Sequence, residues 1–118
     1  MTTEGAADPT GKKEVFMKKM EFKVRCVREC LLREGRVYTV RGYNMLSEDV
    51  EVDGVGACFR KHVMEVKSKD DLRIVGYGLS GFNSFDEWWR VIESFCAGRR
   101  KWLYYVFMRS LTPTGAGE

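Results

Sequence analysis

Four cysteines and one histidine are the residues of this 118-residue chain best suited to nucleophilic attack or metal ligation. Zinc takes four clustered ligands, and a reactive thiolate needs a neighbouring base or cation. Cys26, Cys30, Cys58 and Cys96 contain no C-x-x-C pair, and His62 sits beside no cysteine in sequence. Their surroundings, FKVRCVREC, VGACFR and ESFCAG, are those of core positions. Free buried thiols are therefore expected, with no metal and no cofactor. The acidic pairs Glu48-Asp49, Asp70-Asp71 and Asp86-Glu87 read as turn and helix-start charges rather than as an acid–base couple. The sequence also lacks a phosphate loop and a nucleophile elbow, so no catalytic residue is assigned and binding is favoured over catalysis.

Binding chemistry then rests on basic and aromatic side chains. The net charge of +3 hides a segregation: residues 11–41 hold ten basic against four acidic groups, residues 42–95 six against ten, and residues 96–118 four against one. If the first and last strands lie side by side, Lys23, Arg25, Arg36, Arg41, Arg99, Arg100 and Lys101 form a basic stripe for phosphates. Tyr38 or Tyr43 would stack on an unpaired base. A net charge of +3 is modest for that task, and a solvated mixed-charge surface is the plain alternative. The second candidate surface is aromatic. Trp88, Trp89, Trp102, Tyr104 and Tyr105 are rigid side chains of the kind that anchor protein interfaces.

These groups must be positioned by elements whose periods are legible. MEFKVRCV alternates, with Phe22, Val24 and Cys26 on one face and Lys23 and Arg25 on the other, which predicts a half-buried strand. RECLLREG reads as a loop, or as one helical turn stopped by Gly35. RVYTVRGY alternates again and predicts a second strand. VEVDGVGACF predicts a hairpin with Asp53-Gly54 at its turn, and RKHVMEVKS a further short strand. In SFDEWWRVIESFCAG the Ser84 and Glu87 spacing is a capping box, Phe85, Trp88, Trp89, Ile92, Phe95 and Cys96 share a broad apolar face, and Gly98 is placed to end the helix. WLYYVFMRS is apolar on both faces and predicts a final strand that is either buried on both sides or part of a binding surface.

From Lys23 to Glu65, the runs KVRCV, LLREGRVYTVRGY and VEVDGVGACFRKHVMEV resemble the small SH3-like barrel modules of bacterial and bacteriophage proteins. That resemblance implies architecture; a phage-encoded module that docks on a host protein through the aromatic residues is a separate expectation. A competing resemblance is to the ASCH family, PUA-like barrels linked to RNA binding, in which a lysine, a threonine or glutamate and an arginine line a cleft. It would place Arg36, Thr39 and Arg41 at those positions, with GFNSFDEWWRVI and WLYYVFMR as the closing helix and strand. The carboxylate of hydrolytic members falls near Ser80, and an arginine, permanently protonated, cannot serve as a base. What this resemblance implies is therefore binding rather than hydrolysis.

The resulting expectation is an α+β chain with flexible tails at 1–14 and 112–118 and one ordered domain over 15–111. Within it stand a small antiparallel β-barrel, SH3-like or PUA-like, from about residue 20 to 67, one C-terminal amphipathic helix and a closing aromatic strand. Whether that strand joins the barrel is left open. The expected function is non-enzymatic docking on a protein partner, with single-stranded RNA or other nucleic acid as the alternative. No apolar run approaches the ~18 residues that span a bilayer, so the cytoplasm is the expected compartment, with the chain a monomer or weak homodimer.

Overall fold

A computed structural model describes residues 17–109; both expected tails and both expected domain limits lie outside the described residues. In chain order the elements are β1 (Lys18–Met20), α1 (Arg25–Glu34), β2 (Arg36–Arg41), β3 (Glu48–Val52), β4 (Gly56–Val66), a 3₁₀ helix (Lys69–Ile74), α2 (Phe85–Cys96) and β5 (Lys101–Met108). The five strands form one mixed sheet in the order β1-β3-β4-β5-β2, with β1 parallel to β3 and every other pairing antiparallel.

The class is α+β, but the expected antiparallel barrel is corrected to an open mixed sheet with β1 and β2 as its edges. At the edge of β2 a loop supplies one hydrogen bond in place of a strand: the Tyr38 N–H donates to the Leu79 carbonyl at 2.7 Å. The final strand joins this sheet between β4 and β2, paired on both sides. The strand is central but not covered alike on its two faces: Trp102, Leu103, Tyr104 and Val106 are buried, whereas Tyr105 and Phe107 are half-buried.

The expected strand over MEFKVRCV and the loop over RECLLREG are also corrected, because residues 25–34 are a ten-residue helix. The short alternation Phe22, Val24, Cys26 competes with a three-to-four spacing in Val27, Cys30 and Leu31, and the helical spacing wins. Arg, Glu and Leu favour a helix, and the three spaced residues bury one stripe. Gly35, at φ 79°, ends α1 by donating its N–H to the Leu31 carbonyl.

The Asp53-Gly54 turn joins β3 to β4 as expected, with Gly54 at φ 80°. RKHVMEVKS is not a separate strand; it continues β4 through a bulge between His62 and Met64. At the start of α2 the Ser84 hydroxyl accepts from the Glu87 N–H at 3.1 Å. The Glu87 carboxylate reaches Asn83 N–H at 2.9 Å, one residue earlier than in a strict capping box. The strict box belongs to Ser68 and Asp71, at the 3₁₀ helix.

Alternation divides the sheet into two faces. One carries Val37 and Thr39 of β2, Tyr104 and Val106 of β5, and Cys58 and Arg60 of β4. There α1 lies on β2 and β5 and contributes Val27, Cys30 and Leu31 to the core. Full burial of side chains such as Leu31 or Val106 contributes roughly 1.5–3 kcal/mol each. The other face carries Tyr38, Leu103, Tyr105, Phe107, Phe59 and Lys61. Its Lys101 end is covered by α2, since the Lys101 ammonium lies 5.6 Å from the Trp89 ring and 3.7 Å from Glu93. The loop before α2 wedges against α1 at Gly81. With φ at 92°, a Cβ there would stand 2.7 Å from the Cys26 carbonyl oxygen, so only glycine fits.

Candidate functional site

The residues expected to meet nucleic acid divide into three groups. Lys23, Thr39, Arg41 and Arg99, with Tyr43, line a cleft of about 270 Å³ between the β1–α1 link, the end of β2 and α2. Arg36 and Tyr38 stand on the sheet face that α1 does not cover. Arg25, Arg100 and Lys101 belong to neither site. Arg25 is exposed at the first residue of α1. Arg100 is held by Glu65 at 2.9 and 3.0 Å and stacks over Trp102 at 5.0 Å. Its hydrogen bonds hold the Glu65 carboxyl below the ordinary carboxylate range. Lys101 is 8% exposed and donates to the Arg99 carbonyl at 2.9 Å. Arg100 is paired with Glu65 at the surface and Lys101 is buried, so the seven cations do not line up as one stripe. The trio implied by the ASCH resemblance is split as well, with Thr39 and Arg41 in the cleft and Arg36 at the opposite end of β2.

The expected protein anchors are mostly core. Trp88, Trp102 and Tyr104 are 2%, 8% and 0% exposed. The Tyr104 hydroxyl donates to the Tyr43 carbonyl and accepts from the Met45 N–H at 2.6 Å, pinning the loop between β2 and β3. Trp89 is half-buried under Lys101. Of the five, Tyr105 alone stands on the uncovered sheet face.

That face is the more organised of the two surfaces. Tyr38 on β2 pairs with Tyr105 on β5, their rings 4.8 Å apart; Tyr105 meets Phe107 at 5.4 Å, and Phe107 meets Phe59 on β4 at 5.7 Å. The four rings cross three adjacent strands and each remains half-buried. Register places exposed Arg36 opposite Phe107 and exposed Lys61 opposite Tyr105. Arg109 lies over Phe59 at 5.2 Å while bonded to Asp49 at 2.8 Å. Among the described residues, neither Arg36 nor Lys61 has a carboxylate within 4.0 Å. The face is thus an aromatic platform fringed by the unpaired cations Arg36 and Lys61 and by the Arg109–Asp49 pair, able to stack planar rings and meet anions at the two free cations. Sequence reasoning named Tyr38, Tyr105 and Arg36 but missed Phe59, Phe107, Lys61 and Arg109.

All four cysteines are free; Cys30, Cys58 and Cys96 are buried and Cys26 half-buried. Burial pushes the Cys58 thiol up to about 11 and raises those of Cys26 and Cys30, which disfavours the nucleophilic thiolate at neutral pH. The His62 ring lies edge-on to Tyr104 at 5.4 Å. No cluster of three His, Cys, Asp or Glu groups able to hold a metal occurs among the described residues. No helix among them is long and apolar enough to cross a membrane. Comparison with protein-family models, with curated proteins and with solved structures finds no match.

Proposed function

We propose that the protein is a non-enzymatic module that binds single-stranded nucleic acid on the uncovered face of its sheet. The observation that carries this reading is the contiguous ring series Tyr38, Tyr105, Phe107 and Phe59, half-open to solvent and bordered by Arg36, Lys61 and Arg109. Bases in a single strand expose their faces, and sheet-borne aromatics stack two or three of them while cations meet the phosphates. A duplex hides those faces. Docking on a protein partner, the other expectation, loses Trp88, Trp102 and Tyr104 to the core and keeps Trp89 half-covered.

Anisotropy titration of a labelled eight-nucleotide single strand, as RNA and as DNA, against a duplex of the same sequence tests the proposal. Micromolar binding of a single strand is expected, with the duplex at least tenfold weaker. If the two unpaired cations neutralise about two phosphates, a rise from 50 to 200 mM salt weakens binding by roughly sevenfold. Absence of binding at low salt to all three ligands overturns the reading and leaves a protein as the occupant of the face.

A further inference from the structure

The cleft beside α2 has a composition that the sheet-face reading does not use. Its floor is apolar, formed by Phe22, Val27, Phe82, Trp88 and Ile92, while Lys23, Arg41, Arg99 and Tyr43 stand around it with one carboxylate residue, Glu21. Among the described residues, none of Lys23, Arg41 and Arg99 has a carboxylate within 4.0 Å. Arg41 is anchored, donating to the Glu21 backbone carbonyl at 2.9 Å and lying over the Phe22 ring at 4.9 Å. Arg99 is exposed and rests beside the cleft. Its guanidinium lies 5.5 Å from the Tyr43 ring and against Gly42, where a Cβ would stand 3.7 Å from its Cζ. Burial, and then the like charge of Arg60, hold the Arg41 guanidinium below its ordinary value.

We infer that this cleft binds a small amphipathic organic anion, an aromatic body bearing one carboxylate, with the ring on the Phe22, Trp88 and Ile92 floor and the acid group against Arg41 and Arg99. A volume of about 270 Å³ sits at the small end of ligand pockets and suits one or two fused rings rather than a chain segment. The Arg41 guanidinium is held by a backbone and a ring contact before any ligand arrives, so ordering of that group opposes binding little. An arginine fork is also the side chain best matched to a carboxylate.

Calorimetric titration of the full chain with 2-naphthoate, 2-naphthylmethanol and 2-naphthylmethylamine tests the inference, with amide shifts to locate each ligand. The anion is expected to bind at least tenfold more tightly than the alcohol, the amine not at all, and the shifts to fall at Gly42, Tyr43 and Val91. Arg99→Met, on an exposed side chain that the fold does not need, is expected to weaken naphthoate about tenfold and leave the alcohol unchanged. Arg41→Met is expected to do the same, and the Arg99 variant keeps the test decisive if Arg41→Met unfolds. Equal affinity for the three ligands, an unchanged naphthoate affinity in Arg99→Met, shifts confined to the sheet face, or no naphthoate binding at millimolar concentration overturns the inference.

Discussion

A Tyr105→Leu, Phe107→Leu variant is expected to bind single-stranded oligonucleotide roughly thirtyfold more weakly than the parent chain while remaining folded. Base stacking on an aromatic side chain contributes about 1–3 kcal/mol per base, and two platform rings at the lower limit account for about 2 kcal/mol. Leucine keeps much of the apolar volume on a half-buried strand position, so the core beneath is little disturbed. The two rings sit at the centre of the platform, Tyr105 touching Tyr38 and Phe107 touching Phe59, so their loss interrupts the whole series. Phe95→Leu is the matched control. Phe95 is 56% exposed on α2, and it lines the cleft instead of the platform. Its replacement is expected to leave oligonucleotide affinity unchanged, and a double variant that binds as the parent does would remove the rings from the interface.

The largest effect on stability is expected at Glu48. Arg60 is 3% exposed on the inner face of β4, and its Nη2 donates to Glu48 at 2.6 Å and to the Leu46 carbonyl at 3.0 Å; its Nε finds no partner among the described residues. The guanidinium also lies 5.8 Å from the centre of the Tyr104 ring. Removing one partner of a buried pair strands the other charge, a loss of about 3–5 kcal/mol for a fully desolvated pair. The Glu48 side chain is 30% exposed, so solvent screening reduces the expected cost of Glu48→Ala to about 2–3 kcal/mol. For a domain of this size that lowers the thermal midpoint by roughly 10–20 °C. The double change Glu48→Ala, Arg60→Met is expected to recover at least half of the loss, because it removes the stranded charge. Thermal unfolding of both variants checks this; a Glu48→Ala midpoint within about 3 °C of the parent would mean that the pair contributes little.

Elements whose signal is local were legible from residue types. Ser84, Glu87 and Gly98 marked α2, Asp53-Gly54 marked the hairpin, and the alternation of RVYTVR marked β2. What failed depended on distant partners. Nothing within MEFKVRCV separates a strand from the approach to a helix, and α1 follows from Val27, Cys30 and Leu31 finding a sheet face to cover. That the sheet stays open is likewise decided far along the chain, where β5 pairs between β4 and β2 and leaves β1 and β2 as the edges. Lys101 was read as a surface charge because its burial requires Trp89 and Glu93 of the preceding helix to fold back over it.

The platform was half legible for the same reason. Arg36-x-Tyr38, Phe59-x-Lys61 and Tyr105-x-Phe107 each place two side chains on one face of a strand, and that period-two spacing was available in the sequence. What it lacked was the register that sets Tyr38 beside Tyr105 and Phe59 beside Phe107, together with the side on which α1 lies. Tyr38 and Tyr105 were accordingly assigned to different partners, a base and a protein, although their rings are in contact.

The most direct test of the sheet-face interface is amide and aromatic chemical-shift mapping of the full chain titrated with an eight-nucleotide single strand. Perturbations concentrated at Tyr38, Phe59, Tyr105 and Phe107, with Arg36 and Lys61 at the margin, are the predicted result. Perturbations confined to the loop between β2 and β3 and to α2, with the four rings unmoved, would contradict it.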